Sequence, residues 1–241
     1  MDLAYNLRLL KEIFFPRHCA VCASEIDTGL VCDKCRKHFC LDKVIQYGAN
    51  QASWKEVVTV SQKLTAPDVF GRIELLYKYD SAFKDALHSL KFEANKELLP
   101  LLKEEAEIAL ISITDTLVQH YDLVTSIPTS DERRKKRGFD VPQVIFSSLK
   151  KGFGAKYTDK LMYRVRNTEP LYTMGAEDRK AELSGCFAML SNFEVKDKRI
   201  LLVDDIWTTG STMQEAAELL LQAGAKEIGA LAFCTSKDNW D

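Results

Sequence analysis

Residues 199–233, RILLVDDIWTTGSTMQEAAELLLQAGAKEIGALAF, leave the chain few folds to choose from. The run Ile200-Leu201-Leu202-Val203 has the unbroken hydrophobicity of a strand covered on both faces, and it predicts a strand over 200–204. Helical spacing follows from 211 to 223 and stops at Gly224; a second apolar stretch, 227–233, reads as another strand. Alternation of this kind continues upstream. "KEVVTV" (55–60) and "RIELLYKYD" (72–80) read as strands, and Phe83, Leu87 and Leu90 begin a helical spacing that resumes through Leu98, Leu99 and Leu102. "YDLVTSIP" (121–128) is a short buried-type strand followed by a polar loop, a helix follows Pro142, and shorter strands fall near 161–165 and 187–190. The pattern predicts an α/β domain built on a mainly parallel sheet with both faces covered, over residues 46–241.

The strand at 200–204 ends on Asp204 and Asp205, at the edge where ligands bind in an open parallel sheet. Thr208, Thr209, Gly210, Ser211 and Thr212 then lead into a helix, offering backbone N–H groups and hydroxyls at a helix N-terminus, an anion site. Gly210 lets the main chain approach the anion closely. Carboxylates repel phosphate, so the acidic pair serves another part of the same ligand. A sugar phosphate fits, its hydroxyls donating to the carboxylates while its phosphate takes the N–H groups. The stretch is not a P-loop, because it lacks that motif's lysine. An acidic strand end with a plain serine/threonine helix cap is the bland alternative.

Seven cysteines include two C-x2-C pairs, Cys19/Cys22 and Cys32/Cys35, separated by nine residues. Two such knuckles close a four-sulfur shell around one tetrahedral ion and leave no position for water, so the reading is structural zinc. Disulfides, a redox pair and an iron–sulfur cluster are its competitors. Asp27-Thr28-Gly29 offers a turn for a small hairpin between the knuckles, and a module over residues 1–45 would comprise an N-terminal helix and this site. Cys40, His18 and His38 read as spare residues beside it, and Cys186 and Cys234 as small core residues.

A formal net charge of −2 argues against a generally basic nucleic-acid coat. No apolar run approaches the roughly 20 residues of a bilayer span. The first 14 residues, amphipathic but interrupted by Arg8, Lys11 and Glu12, lack a signal peptide's apolar core, so the expected compartment is the cytoplasm.

"VDDIWTTGST" resembles the phosphoribosyl-pyrophosphate (PRPP) motif of type I phosphoribosyltransferases. With the cysteine knuckles in "FFPRHCAVC" and "VCDKC", with "YKYDSAFKDALHSLKF" and with "IPTSDERRKKRGFD", the chain is similar along nearly its whole length to the ComF (competence protein F) family. The resemblance implies a transferase-like fold, a 5′-phosphate site at Thr208 to Thr212, ribose hydroxyls near Asp204 and Asp205, magnesium accompanying PRPP, and a role in DNA uptake during natural transformation. The sequence departs from the family pattern where Asp140-Val141 replaces an asparagine-glutamine pair, where Leu171 replaces a glutamine, and where Glu182 replaces an asparagine. Ligand binding is therefore better supported than turnover, and no catalytic residue is assigned.

"RRKKR", Arg133, Arg134, Lys135, Lys136 and Arg137, is either a solvated loop, a partner for the pyrophosphate arm of PRPP, or a track for a nucleic-acid backbone. Thr129 and Ser130 precede it, and Arg164, Arg166 and Arg179, with Tyr163 and Tyr172 interleaved, would extend either functional surface. Three functions compete. The first is a PRPP-binding protein accessory to DNA uptake, with single-stranded DNA and uptake proteins as partners. The second is an active phosphoribosyltransferase or salvage enzyme with a nitrogen nucleophile as acceptor. The third is a zinc-organised DNA- or protein-binding module with a relic pocket.

Overall fold

The computed structural model describes residues 18–19, 24–27, 32–34, 40–48, 69–78, 86–93, 96–166, 182–190 and 194–235. The expected N-terminal helix and the "KEVVTV" strand lie outside these residues. In the cysteine region, His18 and Glu25 form an antiparallel bridge and Cys19 N–H donates to the Ser24 carbonyl (2.8 Å).

The chain then runs β1 (Cys40–Gly48), β2 (Arg72–Lys78), a π-helical turn (Ser89–Glu93), α1 (Leu99–Leu110), α2 (Thr114–His120) and β3 (Leu123–Ser126). It continues through α3 (Asp131–Arg137), α4 (Val141–Ile145), α5 (Leu149–Phe153), β4 (Met162–Arg164), β5 (Phe187–Met189), β6 (Arg199–Trp207), α6 (Ser211–Gln222) and β7 (Glu227–Thr235). Five strands form one sheet in the order β1-β2-β7-β6-β3. β2, β7, β6 and β3 are mutually parallel and β1 is antiparallel on the edge, which makes the sheet mainly parallel as the periodicity requires. β1 crosses residues 45 and 46, the expected module boundary, and joins the sheet.

Strand side chains alternate between faces, and here both faces are buried. Leu201 and Val203 of β6, with Leu231 and Phe233 of β7, face a core shared with Leu102, Ala106, Leu117, Ile145 and Phe153 of the helices between β2 and β4. Ile200 and Leu202, with Ile228, Ala230 and Ala232, face a second core shared with Met213, Ala216, Ala217 and Leu220 of α6. The continuous hydrophobicity of 200–203 thus supplies two cores at once. Cys186 and Cys234 are fully buried, as small apolar residues.

Three expectations change. β6 does not stop at 204 but runs to Trp207, so Asp204 and Asp205 lie within the strand's last turn of pairing, with Asp204 opposite Ala232. The strands near 161 and 187 do not enter the main sheet and instead pair with each other as a two-stranded antiparallel ribbon, β4–β5. The basic run is a helix, α3, where a loop was anticipated. Ser130 Oγ accepts from Arg133 N–H at its start, Asp131 and Glu132 occupy its positive end, four cations occupy its negative end, and Gly138 terminates it with φ 85°.

Candidate functional site

Register places two loops side by side at the carboxyl edge of the sheet. Ser126, the last residue of β3, pairs with Val203, so the segment leaving β3 starts level with the acidic pair near the end of β6. Ile127 N–H donates to the Val203 carbonyl (2.9 Å), which fastens the β3 loop to β6 immediately before Asp204.

Neighbouring residues of a strand point to opposite faces, and the two aspartates have different surroundings. Asp205 is 5% exposed, and its Oδ1 accepts from Lys91 Nζ at 2.8 Å. Asp204 is half-buried, and its Oδ1 accepts from the Asp205 N–H at 2.8 Å. Burial and the adjacent Asp205 carboxylate push the Asp204 carboxyl well above the usual range, against the pull of Lys91 and Arg164. Arg137 is buried; its Nε donates to the Lys91 carbonyl (3.2 Å), and its charge faces Asp205 and Asp140. This edge of the sheet therefore carries interleaved acids and cations.

The loop after β6 is turned by Gly210, whose φ of 80° makes it the left-handed cap of α6. Gly210 supplies no side-chain cap, so the first turn of a 12-residue helix offers N–H groups to solvent or an anion, the Ser211 N–H being shared with Thr209. Thr209 Oγ1 lies 2.7 Å from Ser211 Oγ and accepts weakly from Ser211 N–H (3.4 Å). Thr208 is exposed, while Thr209, Ser211 and Thr212 are half-buried, so hydroxyls ring the mouth of the turn.

On the neighbouring loop, Thr129 N–H donates to Asp140 Oδ1 (3.2 Å) and Gln143 Nε2 donates to Asp140 Oδ2 (3.4 Å). Asp140, the first of the departures noted in the sequence, is thus a buried latch that shapes the Thr129–Ser130 turn. Burial raises its carboxyl while the bonds from Thr129 and the charges of Arg134 and Arg137 oppose the rise.

Asp204, Asp205, Thr208 to Thr212, Thr129, Ser130 and Arg137 therefore gather at one edge. Of the rest of the basic run, Arg133 is half-buried and Arg134, Lys135 and Lys136 are exposed. Arg166 serves the β4–β5 region, donating to the Glu182 and Ser184 carbonyls and pairing with Glu182 Oε1 at 3.3 Å, which also explains the charge at position 182. The ribbon is tied to α6 by Gly185 N–H donating to Glu215 Oε1 (2.6 Å), and Arg164 lies over the Phe187 ring. Arg179, Leu171 and Tyr172 lie outside the described residues, and Tyr163 is exposed. Asp140 stands in the sequence as a departure from the family pattern and not as a site residue, and Lys91 is not singled out at all; its one sequence signal is a cation directly after an inward-facing leucine of the helical pattern.

Cys19 is buried and its Sγ accepts from the Cys32 N–H at 3.4 Å, which brings the leading cysteines of the two pairs together. Cys22 and Cys35 lie outside the described residues, and among the described residues no cluster of three metal-ligating side chains is present.

Residues 156–241 match the family model described as the phosphoribosyl transferase domain. The DNA utilization protein YhgH of Escherichia coli K12 is 24% identical over 222 residues, spanning 91% of this chain and 97% of its own. Competence protein F of Haemophilus influenzae is 27% identical over 128 residues, 51% of this chain and 56% of its own. A solved purine phosphoribosyltransferase from Pyrococcus horikoshii is similar over 54% of this chain and 73% of its own, at 17% identity and a TM-score of 0.36.

Proposed function

We propose that this chain, which fits the competence protein F family and carries a phosphoribosyl transferase domain, binds PRPP at the carboxyl edge of its sheet as part of the handling of incoming DNA. The observation that carries the reading is the junction of β6 and α6. An acidic pair, an uncapped helix N-terminus and a glycine in the left-handed region occur there within seven residues, 204–210.

In this reading the N–H groups and hydroxyls of Thr208 to Thr212 hold the 5′-phosphate. Asp204 and Asp205 accept from the ribose hydroxyls, and Arg137 with the Thr129–Ser130 turn lies toward the pyrophosphate. Magnesium would accompany the pyrophosphate and offset its charge. The exposed cations of α3 suit a nucleic-acid backbone, and the compartment that fits is the cytoplasm. Among the described residues no helix is long and apolar enough to cross a membrane.

Cys19, Cys22, Cys32 and Cys35 would hold one structural zinc ion, their thiolates filling its shell. An N–H donated to a thiolate, as Cys32 gives Cys19, is the outer bonding that such a site needs. Stoichiometric zinc in the purified protein, lost in Cys32→Ser, is the expected result.

A second reading, turnover with a nitrogen acceptor, is favoured by the β4–β5 ribbon, whose Arg164 bears on Asp204. Bond cleavage at the anomeric carbon would then rest on positioning and on cations facing the departing pyrophosphate.

The test is a pair of calorimetric titrations, PRPP with magnesium and inorganic phosphate, on the wild type and on Asp204→Asn/Asp205→Asn. The wild type should bind both. The double variant should lose at least tenfold in PRPP affinity while keeping or tightening phosphate. A wild type that binds no PRPP overturns the reading.

A further inference from the structure

The Lys91–Asp205 pair joins residues 114 positions apart and sits in the middle of the acidic edge. Lys91 rides on the π-helical turn Ser89–Glu93, between fully buried Leu90 and half-exposed Phe92. Its main chain is anchored, since its carbonyl accepts from the buried Arg137 Nε. Its side chain is 23% exposed, against 8% for Asp205, so the ammonium approaches the acid from the open side. A lysine ammonium is a compact charge on a flexible four-carbon stem that can exchange one anion for another without moving its backbone.

The pair has a consequence for any sugar phosphate bound as described above. Lys91 holds Oδ1 of Asp205, so ribose hydroxyls, or a cation beside them, compete with the ammonium for the charge of that carboxylate. Displacing Lys91 leaves a partly desolvated ammonium without a partner, which is unfavourable unless another anion is close by. On a phosphoribosyl ligand the group next to the 2′-hydroxyl is the substituent at C1. A diphosphate there gives Lys91 a new, more highly charged partner; a free anomeric hydroxyl gives it none.

We propose that Lys91 is an exchangeable counter-ion that makes this site select sugar phosphates carrying a diphosphate at C1 over those with a free anomeric hydroxyl. The inference rests on the PRPP reading of the β6–α6 site and adds the residue that sets its specificity. In the free protein Lys91 neutralises Asp205; in the complex it is handed to the diphosphate while Asp205 turns to the ribose. Arg137 keeps the lysine's backbone in place throughout.

The experiment compares PRPP with magnesium and ribose 5-phosphate as ligands for the wild type, Lys91→Gln and Lys91→Arg. Lys91→Gln should lose tenfold or more in PRPP affinity and leave ribose 5-phosphate unchanged or a few-fold tighter; Lys91→Arg should recover most of the PRPP loss. Equal losses for both ligands, or no loss for either, overturn the proposal and leave the site reading standing. A wild type that binds neither ligand overturns the site reading and this inference with it. Should Lys91→Gln fail to fold, inorganic pyrophosphate carries the test: Asp205→Asn frees Lys91 and should tighten it several-fold more than Asp204→Asn does, and equal gains overturn the proposal.

Discussion

Trp207 fills the space beneath Gly210: a Cβ built on the glycine would lie 2.5 Å from Trp207 Cζ2. Trp207 is 1% exposed and packs edge-on against Phe70, so the ring has nowhere to retreat. Gly210→Ala combines this overlap with a left-handed backbone and should destabilise the protein by about 2 to 4 kcal/mol. Thermal denaturation would read the loss, and phosphate titration of the folded fraction should show the anion site gone. An unchanged melting temperature would mean that the loop can be rebuilt around a side chain.

Asp122 and Arg199 fasten the start of β6 to the turn before β3. Asp122 Oδ2 accepts from the Arg199 N–H (2.9 Å) and Asp122 Oδ1 from Nη2 (3.1 Å), and these bonds hold the Asp122 carboxyl down at about 2. A lowered folded-state value contributes stability that is complete above the ordinary carboxylate value and lost as pH falls toward 2. With a third of each side chain exposed, the contribution at neutral pH is about 1 kcal/mol after solvent screening. Asp122→Asn should remove that much at pH 7 and almost nothing at pH 2, as measured by urea denaturation at both.

Arg72 and Glu74 share one face of β2 and pair at 2.5 Å with side chains 8% and 0% exposed. Burial outweighs the pull of Arg72 and raises the Glu74 carboxyl to about 7, so folding prefers its protonated form. Its favourable contribution is complete below the ordinary glutamate value and lost as pH rises through about 7. Removing Arg72 takes the counter-ion from the fully buried Glu74: Arg72→Met should cost about 3 to 5 kcal/mol at pH 8. Arg72→Met/Glu74→Leu should return to within about 1 kcal/mol of the wild type or exceed it. Chemical denaturation of the three proteins decides the point.

Arg134, Lys135 and Lys136 project from α3, whereas Arg133 is half-buried and Arg137 turns inward, so the exposed three are the cations of the run that face solvent. Replacing the three with glutamine should weaken single-stranded DNA alike for every sequence and reduce the salt slope by up to about 0.7 per lost phosphate contact. Fluorescence anisotropy over a salt series measures both quantities. Equal slopes for variant and wild type would assign α3 to solvent.

The parallel strands β2, β3, β6 and β7 and the turn from β6 into α6 are legible because their signals are local, whereas β1, for which the sequence reading has no strand, is not. Four apolar residues in a row announce a doubly covered strand, and Gly210 among hydroxyls announces a tight turn into a helix. Helix α3 was misread because it has no apolar stripe; its Ser130 cap, acidic first turn and basic last turn are also sequence signals, but they describe a helix end rather than a helix body. Lys91 was missed for a different reason. Its partner is 114 residues away, and no local period relates a cation on an early π-turn to an acid at the end of a late strand. Arg137 was counted with its exposed neighbours because charge alone does not say which member of a run faces inward.

The edge strand β3 has four residues; β6 pairs with all of them, while the other side carries an isolated bridge from Val124 to Tyr157, with Thr158 N–H donating to the Val124 carbonyl (3.0 Å), so this seam should open before the rest of the sheet. The two loops of the site leave from opposite banks of that seam. A ligand spanning them works as a clasp, and amides of Leu123–Ser126 should exchange with solvent more slowly in proportion to ligand concentration over Kd. Breathing of the sheet's margin and occupancy of the site then become one equilibrium, followed equally well from either side.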